Sequence, residues 1–286
     1  MKFKTKNKAF DSVLIVIIFL TVLICVIPFI YVIAVSLSSN NAVISQKVKL
    51  LPIGFNLEAY KTVFYDKTMI SSLIFTVALT VGYTILSMIF TICAAYPLTK
   101  KRIKGRNFFL LIIVITMYFS GGIIPDYILI KNLKLINTPW SLILPGLISV
   151  YNMIILKTFF TSLPESLEEA ASIDGCSDLG ILIKIVLPLS TPVLATLSLF
   201  YAVQRWNGFQ DALFYINKPQ YYPIQLKLYQ IISLTQIDQQ NESGMNMAPE
   251  SLKAASVMFA TIPILIVYPW LQKYFVSGVM IGAVKG

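Results

Sequence analysis

At 286 residues, with 57% of them hydrophobic, 13% charged and a mean hydropathy of +0.76, the chain lies far from the composition of a water-soluble domain. Histidine is absent, and Cys25, Cys93 and Cys176 are too few and too scattered for a disulfide framework or a metal-ligand set, so histidine triads, zinc proteolysis and the usual haem ligation are excluded. The net charge of +10 reads as membrane topology and contact with anionic lipid headgroups, not as a nucleic-acid surface.

The apolar runs are continuous and reach the roughly 20 residues that a helix needs to cross hydrocarbon, which favours helices over the alternating strands of a barrel. Spans are predicted at about 12–37, 70–98, 107–129, 139–160, 189–214 and 252–274. The first follows "KTKNK" but is too long in its apolar part, and lacks the small-residue cleavage site, for a removable leader. A second acid-free basic cluster, "KKRIKGR" at 100–106, separates spans two and three; six spans put both clusters, and both termini, in the cytoplasm. Lys47, Lys49, Lys61 and Lys67 fall outside, so the rule holds by clustering.

In the first outer loop Asn56 is placed to cap a short helix, "LEAYKTVFYD", with Leu57, Tyr60 and Phe64 at helical spacing for a membrane surface or a docked binding protein. Gly121, Gly122 and Pro125 mark where the third helix stops, toward its outer end. The segment 217–250 is long, polar and external, while the terminal "SGVMIGAVKG" is too short and glycine-rich for another span.

The cytoplasmic loop between spans four and five carries five of the chain's thirteen carboxylates: Glu165, Glu168, Glu169, Asp174 and Asp178. Pro164 suits a first helical turn, Glu165, Glu168 and Glu169 suit the positive end of the dipole, and Gly175 suits the stop. Leu163, Leu167, Ala170, Ala171 and Asp174 share one face of that helix, with alanines small enough for another surface to approach. A second helical piece leads through Leu187 and Pro188 into the next span. An element with its own amphipathic helix points to docking rather than plain connection.

Glu169-Ala170-Ala171, three residues, Gly175, nine residues and then Ile185-Val186-Leu187-Pro188 resemble the EAA loop of permease subunits of ATP-binding-cassette importers. "LPIGFNLEAYKTVF" at 51–64, "LKLINTPWSLILP" at 133–145, "RWNGFQDAL" at 205–213 and the ending "GAVKG" resemble, more narrowly, carbohydrate permeases similar to the second maltose permease subunit and to the aldouronate or polysaccharide group. The resemblance implies an all-α integral membrane protein of type I importer permease fold, a single domain over 1–286, with six transmembrane helices and a cytoplasmic coupling loop within 161–188. Glu165, Glu168, Glu169, Ala170, Ala171, Asp174, Gly175, Leu187 and Pro188 would then fit a groove on a separate ATPase. The chain would be non-catalytic: it has no GxxxxGK[ST] phosphate loop, so ATP and magnesium belong to the partner. The implied assembly is this chain, a second homologous permease, two cytoplasmic ATPase subunits and an external or periplasmic sugar-binding protein, in the plasma membrane of a bacterium.

The substrate path is sought among polar groups at membrane depth. Arg205 falls near the middle of the fifth predicted span, where a lipid-facing charge is costly. Gln204, Trp206, Asn207, Gln210 and Asp211 surround it, with Asn207 and Asp211 one helical turn apart; the resemblance marks Trp206-Asn207 as a recurrent pair in sugar permeases. Two readings of Arg205 stand: contact with an acidic, uronate-bearing oligosaccharide, or pairing with a carboxylate or carbonyl of a partner permease. Asn152 and Tyr118 are further candidates for the path. The alternative from another class is a secondary transporter driven by an ion gradient, which calls for midplane carboxylates and an internal repeat that the sequence does not display.

Overall fold

The computed structural model describes residues 8–238 and 249–283, and the elements among them are helical. The chain divides into two compact units, 1–70 with 228–263, and 71–227 with 264–286. The candidate site residues all lie in the second.

In the first unit, α1 (Lys8–Ser36) is so uniformly apolar that no face is reserved for a protein core, and none of its membrane-length window is buried. Among the described residues its end packs: Ala34 and Val35 join Ala42 and Val43 of α2 (Asn40–Ile44), Val48, and Ala254. Ser38 ties this corner, donating to the Ala34 carbonyl at 2.6 Å and accepting from the Ile53 amide at 3.0 Å. The expected outer helix is present as α3 (Glu58–Tyr65), and Asn56 Oδ1 accepts from the Glu58 amide at 2.8 Å. Its buried face is Ala59 and Val63, whereas Leu57 is exposed and Phe64 meets Phe259 edge-on at 5.1 Å. Of the predicted stripe, Leu57 and Phe64 are exposed and Tyr60 is half-buried, its hydroxyl 2.9 Å from Ser36 Oγ.

The second unit is built around α4 (Lys67–Ala95), which begins in the first unit and whose polar Ser72, Thr76, Ser87 and Thr91 are buried beside Leu79, Tyr83 and Met88. Three predicted spans prove to be broken. α5 (Arg106–Tyr118) and α6 (Ile123–Asn132) turn by 114° about a break at which Gly122 adopts φ +89°, a left-handed backbone that glycine tolerates. The third helix does stop short, and a second starts at once. α7 (Trp140–Ile143), continued by a tight turn at Leu144–Gly146, meets α8 (Val150–Ser162) at 52°. Beyond α9 (Glu165–Ile173), α10 (Asp178–Ile181) runs through a π-helical turn at Leu182–Val186 into α11 (Leu187–Leu189). The chain then bends by 84° into α12 (Thr191–Asn207). Pro188 and Pro192 flank that bend, and Ser190 Oγ caps it on the Val186 carbonyl at 2.6 Å.

Following α12 come α13 (Gln210–Tyr215), α14 (Ile224–Asp238) and α15 (Pro249–Ala283). The tip "QQNESG" lies outside the described residues, but α15 continues through most of the terminal stretch read as too short for a span; an unbroken helix simply extends past residue 274. Among the described residues three helices are long and apolar enough to cross a membrane, or up to six where each bent pair counts as one.

Candidate functional site

Two places in the second unit gather the predicted residues. The first is the acidic loop. α9 starts after Pro164, which stands just before the first turn rather than within it. It ends in a complete Schellman closure: the Cys176 amide donates to the Ala171 carbonyl at 2.9 Å and the Gly175 amide to the Ser172 carbonyl at 3.1 Å. Gly175 makes this possible by adopting φ +80°. Of the predicted apolar face, Ala171 is buried, Leu163 packs partly against the core, and Leu167 and Ala170 are exposed. Leu187 is half-buried in the core rim and Pro188 is exposed.

Three of the five loop carboxylates are engaged within the chain. Glu168 pairs with Lys100, Asp178 with Arg102, and Glu165 with Lys101 at 2.5 Å. Lys100 also sits over the Tyr96 ring, 4.2 Å from its centroid. Burial pulls the Lys100 ammonium down, but its hydrogen bonds to Glu168 and Tyr96 outweigh this and hold it above the ordinary lysine value. The hydrogen bond from Lys101, followed by its charge, holds the Glu165 carboxyl below its ordinary value. Glu169 and Asp174 are exposed. Between the basic run and α9 lies an open cavity of about 680 Å³.

The second place is the break after α12. The helix ends at Asn207 and restarts at Gln210, so Asn207 and Asp211 do not share a helical face, contrary to the predicted unbroken span. The break swings Asp211 back onto Arg205, which lies in the last turn of α12. The contact is bidentate, Nη1 to Oδ2 at 2.5 Å and Nη2 to Oδ1 at 2.9 Å. Nη1 also donates to the Leu142 carbonyl at 2.8 Å and Nη2 to the Gly208 carbonyl at 3.2 Å. Arg205 is only 6% exposed. Its partner carboxylate is therefore in its own chain, a solution that neither sequence reading contained.

Around this pair is a cavity of about 330 Å³, lined by Tyr83, Gln204, Arg205, Asn207, Gln210 and Asp211 among others. Gln204, Asn207 and Gln210 expose amide groups; Asn207 Nδ2 donates to the Val203 carbonyl at 2.9 Å. Trp206 is buried and does not line this cavity. Asn152 is buried in the first turn of α8, its amide capped by Ser149 Oγ at 3.3 Å, and Tyr118 is exposed at the end of α5. Neither lines the cavity.

Sequence reading missed Tyr83 and Tyr201. Tyr83 donates to the Gly146 carbonyl at 2.5 Å and lies beneath Arg205, whose Cζ is 5.9 Å from the ring centroid. Tyr201, fully buried, bonds Thr91 Oγ1 at 2.7 Å and accepts from the Ser149 amide at 3.0 Å, satisfying backbone freed at the start of α8. Tyrosines that serve one helix break from two other helices carry no sequence signal; the available clue is that an apolar stretch interrupted by Pro145 and Gly146 needs a donor or acceptor from a neighbouring helix.

Residues 83–281 match the family model described as binding-protein-dependent transport system inner membrane component. The chain is 44% identical over 285 residues to the polygalacturonan/rhamnogalacturonan transport system permease protein YtcP of Bacillus subtilis (strain 168), covering 98% of this chain and 100% of the relative. It is 45% identical over 266 residues to Protein LplC of the same organism, covering 92% and 90%. A solved structure, of a bacterial ABC transporter involved in the import of the acidic polysaccharide alginate, matches with a TM-score of 0.87 at 33% identity, covering 96% of this chain and 100% of that one.

Proposed function

Because this chain belongs to the family of binding-protein-dependent transport system inner membrane components and has the fold of an ABC-transporter permease, we propose that it forms half of the pathway of an ATP-driven importer of acidic oligosaccharides. The observation that carries this reading is the loop at 165–188, whose helix is closed by Gly175 and presents Glu169, Ala170 and Asp174 to solvent. ATP binding and hydrolysis reside on two partner ATPase subunits, which grip this loop and rock the six spans between inward-facing and outward-facing arrangements. Both termini are cytoplasmic, a second permease completes the pathway, and a binding protein delivers substrate from outside.

The acidic substrate class is supported by two relatives, one named for polygalacturonan and rhamnogalacturonan and one associated with alginate. Within this chain the cavity at the α12–α13 break is suited to a saccharide: it is about 330 Å³ and offers amides from Gln204, Asn207 and Gln210 beside an ion pair. The charge of Arg205 is already balanced by Asp211, so its role here is to hold the cavity wall, while the amides donate to hydroxyls and carboxylates of the sugar.

The test is ATP hydrolysis by the complete complex in lipid nanodiscs, with its binding protein, titrated with uronate and neutral oligosaccharides. Stimulation by uronate oligomers, lost in Gly175→Pro and Glu169→Lys, is expected. Import under an ion gradient with no ATPase present would overturn the reading; stimulation by neutral sugars alone would overturn the substrate class.

A further inference from the structure

The basic run 100–106 reads in the sequence as a topology signal, yet in the fold its first three cations close on the acidic loop one after another. We infer that Lys100, Lys101 and Arg102 are positioning residues, an ionic clasp that holds α9 to the end of α4 so that movement of the loop is transmitted to α4 of the same chain. This rests on the coupling role proposed above.

The clasp answers a mechanical problem. α9 buries a single side chain, the methyl group of Ala171, which is too little apolar contact to hold a nine-residue helix at a defined angle. What else fixes it is charge: Glu165 and Glu168, one turn apart, meet Lys101 and Lys100, while Asp178 at the head of α10 meets Arg102. The central pair is the sheltered one, with side chains 15% and 29% exposed, and it is backed by Tyr96. Tyr96 is itself buried, packs edge-on against Phe160, and donates to the Asp178 carbonyl at 3.4 Å. Arg106 closes the other end, donating to the Thr99 carbonyl at 3.3 Å. Thus the helix carrying Glu165 and Glu168 and the segment following α4 are joined through charge-assisted bonds, whereas exposed Glu169 and Asp174 are left for a partner.

A double-mutant cycle decides between the clasp and independent roles for these residues. Lys100→Met and Glu168→Gln, singly and together, are assayed in the complete complex for saccharide imported per ATP hydrolysed. Each single substitution is expected to lower that ratio about fivefold or more, within the usual range of coupling between sites, and the double variant to fall no further than the worse single. Losses that multiply, or singles with an unchanged ratio, overturn the clasp. A second readout does not depend on transport: in a chain carrying Cys25→Ser, Cys93→Ser and Cys176→Ser, the exposed pair Lys101→Cys and Glu165→Cys is bridged by a short bifunctional thiol reagent. Bridging about fivefold slower after Lys100→Met supports the clasp, since an unclasped helix keeps the two thiols within reach for less of the time; equal rates overturn it. If the unmodified complex imports with no ATPase present, it is the coupling role that fails, whatever the bridging rates show.

Discussion

Removing one member of the Arg205–Asp211 pair tests the reading of the α12–α13 break. Asp211→Ala leaves a guanidinium whose side chain is 7% exposed without its balancing charge, with carbonyls of Leu142 and Gly208 as its remaining acceptors. Breaking such a pair from one side typically costs about 3–5 kcal/mol, because the survivor is a buried, uncompensated charge. For a protein of this size that corresponds to a fall in Tm on the order of 10 °C. Replacing both partners by apolar groups of similar bulk, Arg205→Met with Asp211→Leu, removes the penalty along with the attraction and is expected to recover most of the loss. The assay is thermal unfolding of the purified complex, followed by size-exclusion of the labelled chain, together with uptake of uronate and neutral oligosaccharides. A single variant as stable as the unmodified chain, or a double variant worse than the single, would refute the brace. A selective loss of uronate uptake in Arg205→Gln at unchanged stability would return Arg205 to direct recognition.

Gly208 lies against the same guanidinium: a Cβ there would stand 2.6 Å from Arg205 Nη2, so Gly208→Ala should destabilise by about 1–3 kcal/mol, read by the same unfolding assay, although its backbone φ of −74° suits alanine. At Gly175 the reverse holds, since nothing stands within 4 Å of a Cβ but φ is +80°; Gly175→Ala should cost about 1–2 kcal/mol and Gly175→Asn less, measured as amide exchange of the loop. Tyr201→Phe strips the Ser149 amide and Thr91 Oγ1 of a buried partner and should cost about 1–3 kcal/mol, seen as a lowered Tm. The clasp should also respond to pH with a definite sign. Glu165 is held below its ordinary 4.5, so its contribution is full above that value and lost as the pH falls through the depressed one; Lys100 is held above 10.5 and contributes until the pH rises through its raised value. Amide exchange across 165–173, corrected for its intrinsic pH dependence, should therefore stay flat through neutrality and rise in acid; a flat profile down to strong acid would contradict the pairing.

What was legible in the sequence was what depends on local composition and spacing. Apolar length determined that the chain is a membrane helix protein, because unpaired backbone groups cannot survive in hydrocarbon. Glycine and proline at 164–188 marked a short helix with a left-handed stop, which α9 and Gly175 realise. The motif spacing also sufficed to name the family that residues 83–281 match. Only the tertiary structure decided where helices break and which charges meet. An apolar run is equally compatible with a straight span and with two pieces set at an angle; at the 52° turn between α7 and α8 it is Tyr83 and Tyr201, from other helices, that satisfy the freed backbone. Asp211 could be assigned to Arg205 only after Gly208 and Phe209 were seen to interrupt the helix, and Lys100 to Glu168 only once residues 68 positions apart were brought together. Charge pairing is a matter of distance in space, and one-dimensional spacing does not contain it.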